Sequence, residues 1–150
     1  MTRKEQYNQL ILQIAGLIKD ETNLVGILAN VSAALHDTFP ERFFWVGFYL
    51  QENGNMLRLG PFQGSVACYV IPFGKGVCGK AWEEGCTLIV PDVEKFPGHI
   101  ACSSLSRSEI VVPMYDDSHT FRGVLDIDIV PSSTTSTKTI KKVWSVSSNY

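Results

Sequence analysis

Cysteine offers the most reactive side chain in this sequence, and four cysteines stand at positions 68, 78, 86 and 102. A free cysteine is ordinarily a small, inert core residue, so something around it must mark one as reactive. Cys102 carries such a mark. It falls in Phe96-Pro97-Gly98-His99-Ile100-Ala101-Cys102-Ser103-Ser104, within a stretch from 91 to 107 that has little apolar periodicity. A loop of that length in a compact domain is commonly functional, and a thiol there lies off any apolar face. The chemistry on offer is nucleophilic attack by a thiolate, then redox turnover in which one cysteine attacks and another resolves. His99, three residues earlier, admits a Cys–His pair; its simpler reading is a side chain that orders the loop by hydrogen bonding. No CxxC pair occurs, which makes a structural zinc site a poor fit.

Carboxylates are the second chemical group. In Arg122–Val130, Leu125, Ile127 and Ile129 alternate with Asp126 and Asp128. Both aspartates therefore point to one strand face, which also carries Val124 and Val130. Glu109 opens the segment SEIVVP, expected to run alongside. An ordinary solvated face is one reading. The other is a partly enclosed surface on which three carboxylates converge, where like charges raise at least one pKa and leave a carboxyl able to donate a hydrogen bond. Trp45, Gly47 and Tyr49 share a face of FFWVGFYL, and a glycine between two rings would leave a gap for a ligand, unless both rings are plain core. A carboxylate-lined pocket with aromatic walls suits a small molecule bearing an ammonium group.

The elements that must position these groups can be read from periodicity and breakers. Residues 4–19 place Leu10, Ile11, Ile14, Leu17 and Ile18 at helical spacing, and a second helix runs over about 23–37 before Pro40. Phe43–Leu50 reads as a buried strand, Glu52-Asn53-Gly54-Asn55 as a hairpin turn, and Met56–Phe62 as the returning strand. Cys68–Pro72 and Thr87–Val90 are short strands, separated by a glycine-rich loop over Phe73–Gly79 and a short helix to Glu84. Gly74-Lys75-Gly76-Val77-Cys78-Gly79 matches GxGxxG, but Gly85 arrives too soon for the long helix of a dinucleotide-binding unit. Ser108–Tyr115 and Arg122–Val130 form a second hairpin. Helices first and hairpin-linked strands later indicate an α+β fold with an antiparallel sheet and the N-terminal helices on one face.

Composition narrows the function classes. With 150 residues and 45% apolar content, one domain with one core is expected. The net charge of −2 and the absence of a basic stripe exclude electrostatic binding to nucleic acid. No apolar run is long enough to span a membrane, and the start MTRKEQYNQL lacks a signal peptide's apolar block. A cytoplasmic protein with free thiols is the expectation. Residues 131–150 depart from the rest: half are Ser or Thr, and this tail is expected to be poorly ordered beside a domain over 1–130.

The segments WVGFYL, LGPFQG, ACYVIPFGKGVCG, FPGHIACSSLSRSEIVVP and GVLDIDI closely resemble the free methionine-(R)-sulfoxide reductases, which are GAF-domain enzymes. The resemblance covers residues 5–130 and is most specific over 59–112. GAF domains in general are signalling modules; the cysteines at 68, 78 and 102 set the reductases apart. The resemblance implies a GAF-like fold and a thioredoxin-dependent L-methionine (R)-S-oxide reductase. Cys102 matches the catalytic cysteine, which attacks the sulfoxide sulfur while a protonated carboxyl assists the departing oxygen. Methionine leaves, and the resulting sulfenic acid condenses with a second cysteine. That resolving role falls to the position of Cys68, of Cys78 or of both, with Cys68 ranked first. Glu109, Asp126 and Asp128 match the acidic substrate residues, and Trp45 and Tyr49 the aromatic pocket for the methyl group. The family expectation is no metal and no bound cofactor, reducing equivalents from thioredoxin, and a homodimer. Cys86 matches no family cysteine. Two positions depart from the pattern: Ser103 stands where the family commonly has Asp, and residues 131–150 do not resemble the family's acidic C-terminal helix. The competing readings are a non-catalytic GAF module that binds a ligand or senses redox state, and a cysteine hydrolase resting on His99. The sensor reading leaves the carboxylates beside Cys102 without a purpose.

Overall fold

A computed structural model of the chain describes residues 1–100 and 108–130. Cys102 and the tail at 131–150 lie outside the described residues. Helix α1 (Arg3–Ile18) begins in a capping box: Thr2 Oγ1 accepts from the Glu5 amide at 3.3 Å, and the Thr2 amide donates to Glu5 Oε2 at 2.6 Å. Helix α2 spans Leu24–Thr38. The strands are β1 (Phe43–Glu52), β2 (Met56–Gln63), β3 (Val70–Pro72), β4 (Leu88–Val90), β5 (Ser108–Tyr115) and β6 (Phe121–Ile129), with helix α3 (Gly76–Glu84) between β3 and β4. They form one antiparallel sheet in the order β3-β2-β1-β6-β5-β4. The expected α+β class holds, and α1 and α2 cover one face of the sheet. No helix among the described residues is long and apolar enough to cross a membrane.

The sheet separates two cores. Val46, Phe48, Leu125, Ile127 and Ile129 meet the apolar stripes of α1 and α2, including Tyr7, Leu10 and Leu35. On the opposite face, Trp45, Tyr49, Val111 and Val124 meet α3 through Val77, Cys78 and Ala81. The alternation read in β6 is thus realised, with its aliphatic residues under the helices and Val124 and Asp126 on the α3 side.

Strand β1 contains a bulge that its sequence hides. Phe43 pairs with Ile129 and Trp45 with Asp128, so β1 advances two residues where β6 advances one. The extra residue turns Phe43 toward the helices and Trp45 toward α3. Continuous apolar sequence carries no alternation from which such a switch can be read.

Other expectations shift in detail. Cys68 precedes strand β3 instead of lying in it, and α3 starts inside the glycine-rich segment. Gly79 is required there, because a Cβ would come within 2.5 Å of the Pro72 carbonyl oxygen. The expected ligand gap over Gly47 is filled: a Cβ at that position would meet Phe62 Cβ at 2.3 Å and the Trp45 ring at 2.6 Å. Trp45 and Phe62 stack over the glycine with centroids 5.1 Å apart.

Gly47→Ala should therefore overpack this face and lower stability by about 1–3 kcal/mol. The measurement is urea unfolding at neutral pH; an unchanged midpoint would show that Phe62 can withdraw freely.

Candidate active site

Strand order brings the acidic residues together. Trp45, Asp128 and Glu109 occupy one rung across β1, β6 and β5, and Gly47, Asp126 and Val111 occupy the next. Because β6 lies between β1 and β5, its aspartates are flanked by the aromatic strand on one side and by Glu109 on the other. Helix α3 closes the cluster from above: Cys78 Sγ donates to Glu109 Oε1 at 3.8 Å. Ligand atoms of Cys78, Glu109 and Asp126 all lie within 4.8 Å of one another.

This cluster is nearly dry. Glu109 is 7% exposed and Asp126 6%. Burial, followed by the nearby charges of Glu109 and Asp128, holds the Asp126 carboxyl well above the usual carboxylate range. Burial raises Glu109 too, but there the hydrogen bond with Asp126, the charge of His99 and the Cys78 thiol work the other way. Both carboxyls are thus pushed up, and the pair holds a proton shared across the hydrogen bond between them. Asp126 Oδ1 is buried and has no hydrogen-bond partner among the described residues. Burial and the adjacent carboxyls also push the Cys78 thiol upward, so it stays protonated at neutral pH and is a weak nucleophile. The same three groups could grip a divalent cation, although tetrahedral zinc would draw its ligand atoms to roughly 3.5 Å apart.

A cavity opens onto these acids, lined by Trp45, Tyr49, Cys78, Glu109, Asp126 and Asp128 together with Val66, Ala67, Ile71, Val77, His99 and Ile100. Six of the candidate residues read from sequence therefore converge on one space. The two rings stand 5.8 Å apart, inclined by 24°. Their polar ends hold the segment that leads to Cys68: Trp45 Nε1 donates to the Ser65 carbonyl at 3.0 Å, and Tyr49 Oη donates to the Cys68 carbonyl at 3.1 Å. Cys68 is disulfide-bonded, whereas Cys78 and Cys86 are free thiols. Cys86 is exposed beyond α3 and does not line the cavity.

The apolar members of the lining escaped sequence reading. Val66 and Ala67 sit on a loop without periodicity, and Val77 belongs to a helix whose partner face could not be assigned from sequence. His99 was legible as a loop residue and as one half of a Cys–His pair whose other half, Cys102, lies outside the described residues. Its amide donates to the Phe96 carbonyl at 3.2 Å, across a turn in which Gly98 adopts φ +75°.

The chain is 58% identical over 127 residues to GAF domain-containing protein A of Dictyostelium discoideum, covering 85% of this chain and 78% of that protein. It is 44% identical over 133 residues to the free methionine-R-sulfoxide reductase of Saccharomyces cerevisiae, covering 85% and 74%. Among solved structures, the free methionine-R-sulfoxide reductase of Neisseria meningitidis in complex with its substrate superposes with a TM-score of 0.85 at 43% identity, covering 99% of this chain and 90% of that one. No family model matches the chain.

The acid pair makes stability depend on pH. Glu109 and Asp126 titrate near 4.5 and 3.8 when unperturbed, as in the unfolded chain, and higher when folded. The stability they contribute is complete below that range and is lost as pH rises through their folded values. Asp126→Asn should flatten this decline in urea midpoints measured from pH 4 to pH 9. Parallel slopes for both proteins would contradict a proton shared by this pair.

Proposed function

We propose, from the premise that the chain belongs to the free methionine-R-sulfoxide reductase family, that it reduces free L-methionine-(R)-sulfoxide to L-methionine with Cys102 as nucleophile. The observation that carries this reading is the proton-holding Glu109–Asp126 pair set beside the aromatic strand in one cavity. A sulfoxide is a poor electrophile until its oxygen receives a proton, and a neutral carboxyl in a dry site can supply one. The Cys102 thiolate attacks the sulfoxide sulfur as Asp126 gives its proton to the oxygen. The oxygen finishes on Cys102 as a sulfenic acid, so the substrate sulfur gains the electron pair that the cysteine sulfur loses. Trp45 and Tyr49 hold the methyl group, and Asp128 with Glu109 receives the ammonium.

A resolving thiol then displaces water from the sulfenic acid to form a disulfide. Cys68 suits this role, since it is the half-cystine of the three cysteines described and is tied to the aromatic wall through Tyr49. Cys78 is better suited to hydrogen bonding with Glu109, because its thiol is buried and hard to ionise. The disulfide requires an external dithiol, for which thioredoxin is the natural donor, and a reducing cytosol fits free Cys78 and Cys86. No metal or organic cofactor enters these steps. A homodimer would have exposed apolar side chains of the helical layer to cover, among them Leu12, Leu24 and Val25.

Reduction should be followed as NADPH oxidation with thioredoxin and thioredoxin reductase, on the free R sulfoxide, the free S sulfoxide and a peptide-bound form. Only the first should turn over; equal rates on all three, or none on any, would refute the substrate. Cys102→Ser should abolish turnover, whereas Cys68→Ser should still complete one stoichiometric round. Asp126→Asn should lower kcat by roughly 100-fold or more; an unchanged kcat would remove Asp126 from proton transfer.

A further inference from the structure

We infer that Cys78, Glu109 and Asp126 form a binding site for a thiophilic divalent cation of the zinc type, which acts as an inhibitor and takes no part in the reaction. Cys78 is the group that the proposed chemistry leaves unused. It is buried at the cavity, with Sγ 3.8 Å from Glu109 Oε1. Neither ammonium binding nor sulfoxide reduction requires a thiol there. Asp126 supplies an independent sign. It lines the same cavity and is 6% exposed, yet its buried Oδ1 has no hydrogen-bond partner among the described residues. A buried acceptor of this kind is costly until a donor or a cation reaches it.

The donor set and its dimensions select the ion. Magnesium and calcium take oxygen ligands, whereas a thiolate favours zinc and its neighbours. Tetrahedral zinc, with bonds of about 2.3 Å to sulfur and about 2.0 Å to oxygen, holds sulfur and oxygen ligands roughly 3.5 Å apart. The Cys78–Glu109 edge is already 3.8 Å, and the three ligand atoms all lie within 4.8 Å of one another. The remaining contraction, about 1 Å, is within reach of the soft terminal torsions of Asp and Glu. The frame beneath is firm, since β5 and β6 are hydrogen-bonded neighbours and Val77 and Ala81 pack α3 into the core. Binding expels the thiol proton and the proton that the carboxyls share, and the dication then supplies the countercharge of the buried acids. All three ligands line the cavity, so water can complete the set. An ion there covers the acid pair that sulfoxide reduction needs; this inhibitory half of the inference rests on the reductase reading, and the binding half does not.

The test uses Co2+ as a coloured stand-in for Zn2+, on a full chain carrying Cys68→Ser, Cys86→Ser and Cys102→Ser so that Cys78 is the sole thiol. Titration should give a thiolate-to-cobalt charge-transfer band that saturates at one ion per chain and is bleached by Zn2+. Adding Cys78→Ser should remove the band, and adding Glu109→Gln or Asp126→Asn should weaken binding by at least about 10-fold. No saturable band, or a band unaffected by either acid substitution, would overturn the site. A second arm needs no variant: in reduced wild type labelled with 13C-cysteine, Zn2+ should shift the Cys78 Cβ resonance and Mg2+ should not. A Cys78 resonance that stays put with Zn2+, or moves equally with Mg2+, would also overturn it. The inhibitory half is read as the single round of methionine formation by the reduced enzyme without thioredoxin, which stoichiometric Zn2+ should slow at least about 10-fold. Binding without slowing would overturn inhibition. Failure of that round in the absence of zinc would fault the reductase reading and overturn the inhibitory half with it, while the two binding arms still decide the site.

Discussion

A carboxyl group removed from water must find a counter-charge or keep its proton, and Glu109 and Asp126 lie too close together and too deeply buried for both to ionise freely. Sharing a proton is the resolution, and much of the surrounding structure serves to maintain it. Strand β6 carries the aspartates on one face while Leu125, Ile127 and Ile129 anchor the other beneath α1 and α2. Helix α3 brings Cys78 down onto Glu109 and excludes solvent. The cost of the acidic cluster is met by apolar packing on both sides of the sheet, which leaves the acids primed for a ligand instead of relaxed against one another. Asp126 Oδ1, which has no hydrogen-bond partner among the described residues, is the remaining sign of that poised condition.

The aromatic residues link this chemistry to the cysteines. Trp45 and Tyr49 present their rings to the cavity and spend their polar atoms on the carbonyls of Ser65 and Cys68. One pair of side chains thus forms the cavity wall and fixes the loop that carries a redox-active candidate. Tyr49 is itself deeply buried, and burial with the nearby Asp126 keeps its phenol protonated, so the hydrogen bond to Cys68 persists across the physiological range.

The legible parts of the sequence were those governed by period and punctuation. The strict alternation of VLDIDI gave both faces of β6 correctly, and the two helices, the hairpins and the sheet's antiparallel character follow from local pattern alone. Local pattern failed where tertiary contact decides. The bulge in β1 lies in FFWVGFYL, where every side chain but glycine is apolar and either face is equally acceptable. The space above Gly47 looked open because Phe62 is fifteen residues away in sequence, yet it is the cross-strand partner of that glycine. His99 and Cys78 reach the acids through a turn and a helix docking that no spacing rule encodes. The catalytic assignment of Cys102 rests on the family match, because that residue is outside the described segments.

The two-faced character of β6 also determines where the chain can change length. A single inserted or deleted residue within Val124–Asp128 would exchange the faces, burying carboxylates beneath the helices and pointing isoleucines into the cavity. The Asp116–Thr120 connection has no such constraint, since it is exposed and organised locally by Asp116 accepting from the amides of Ser118 and Thr120. Length variation among relatives should therefore gather in that connection and be absent from the strand it feeds, so that a gap within the strand would signal loss of the acid pair and not a harmless drift.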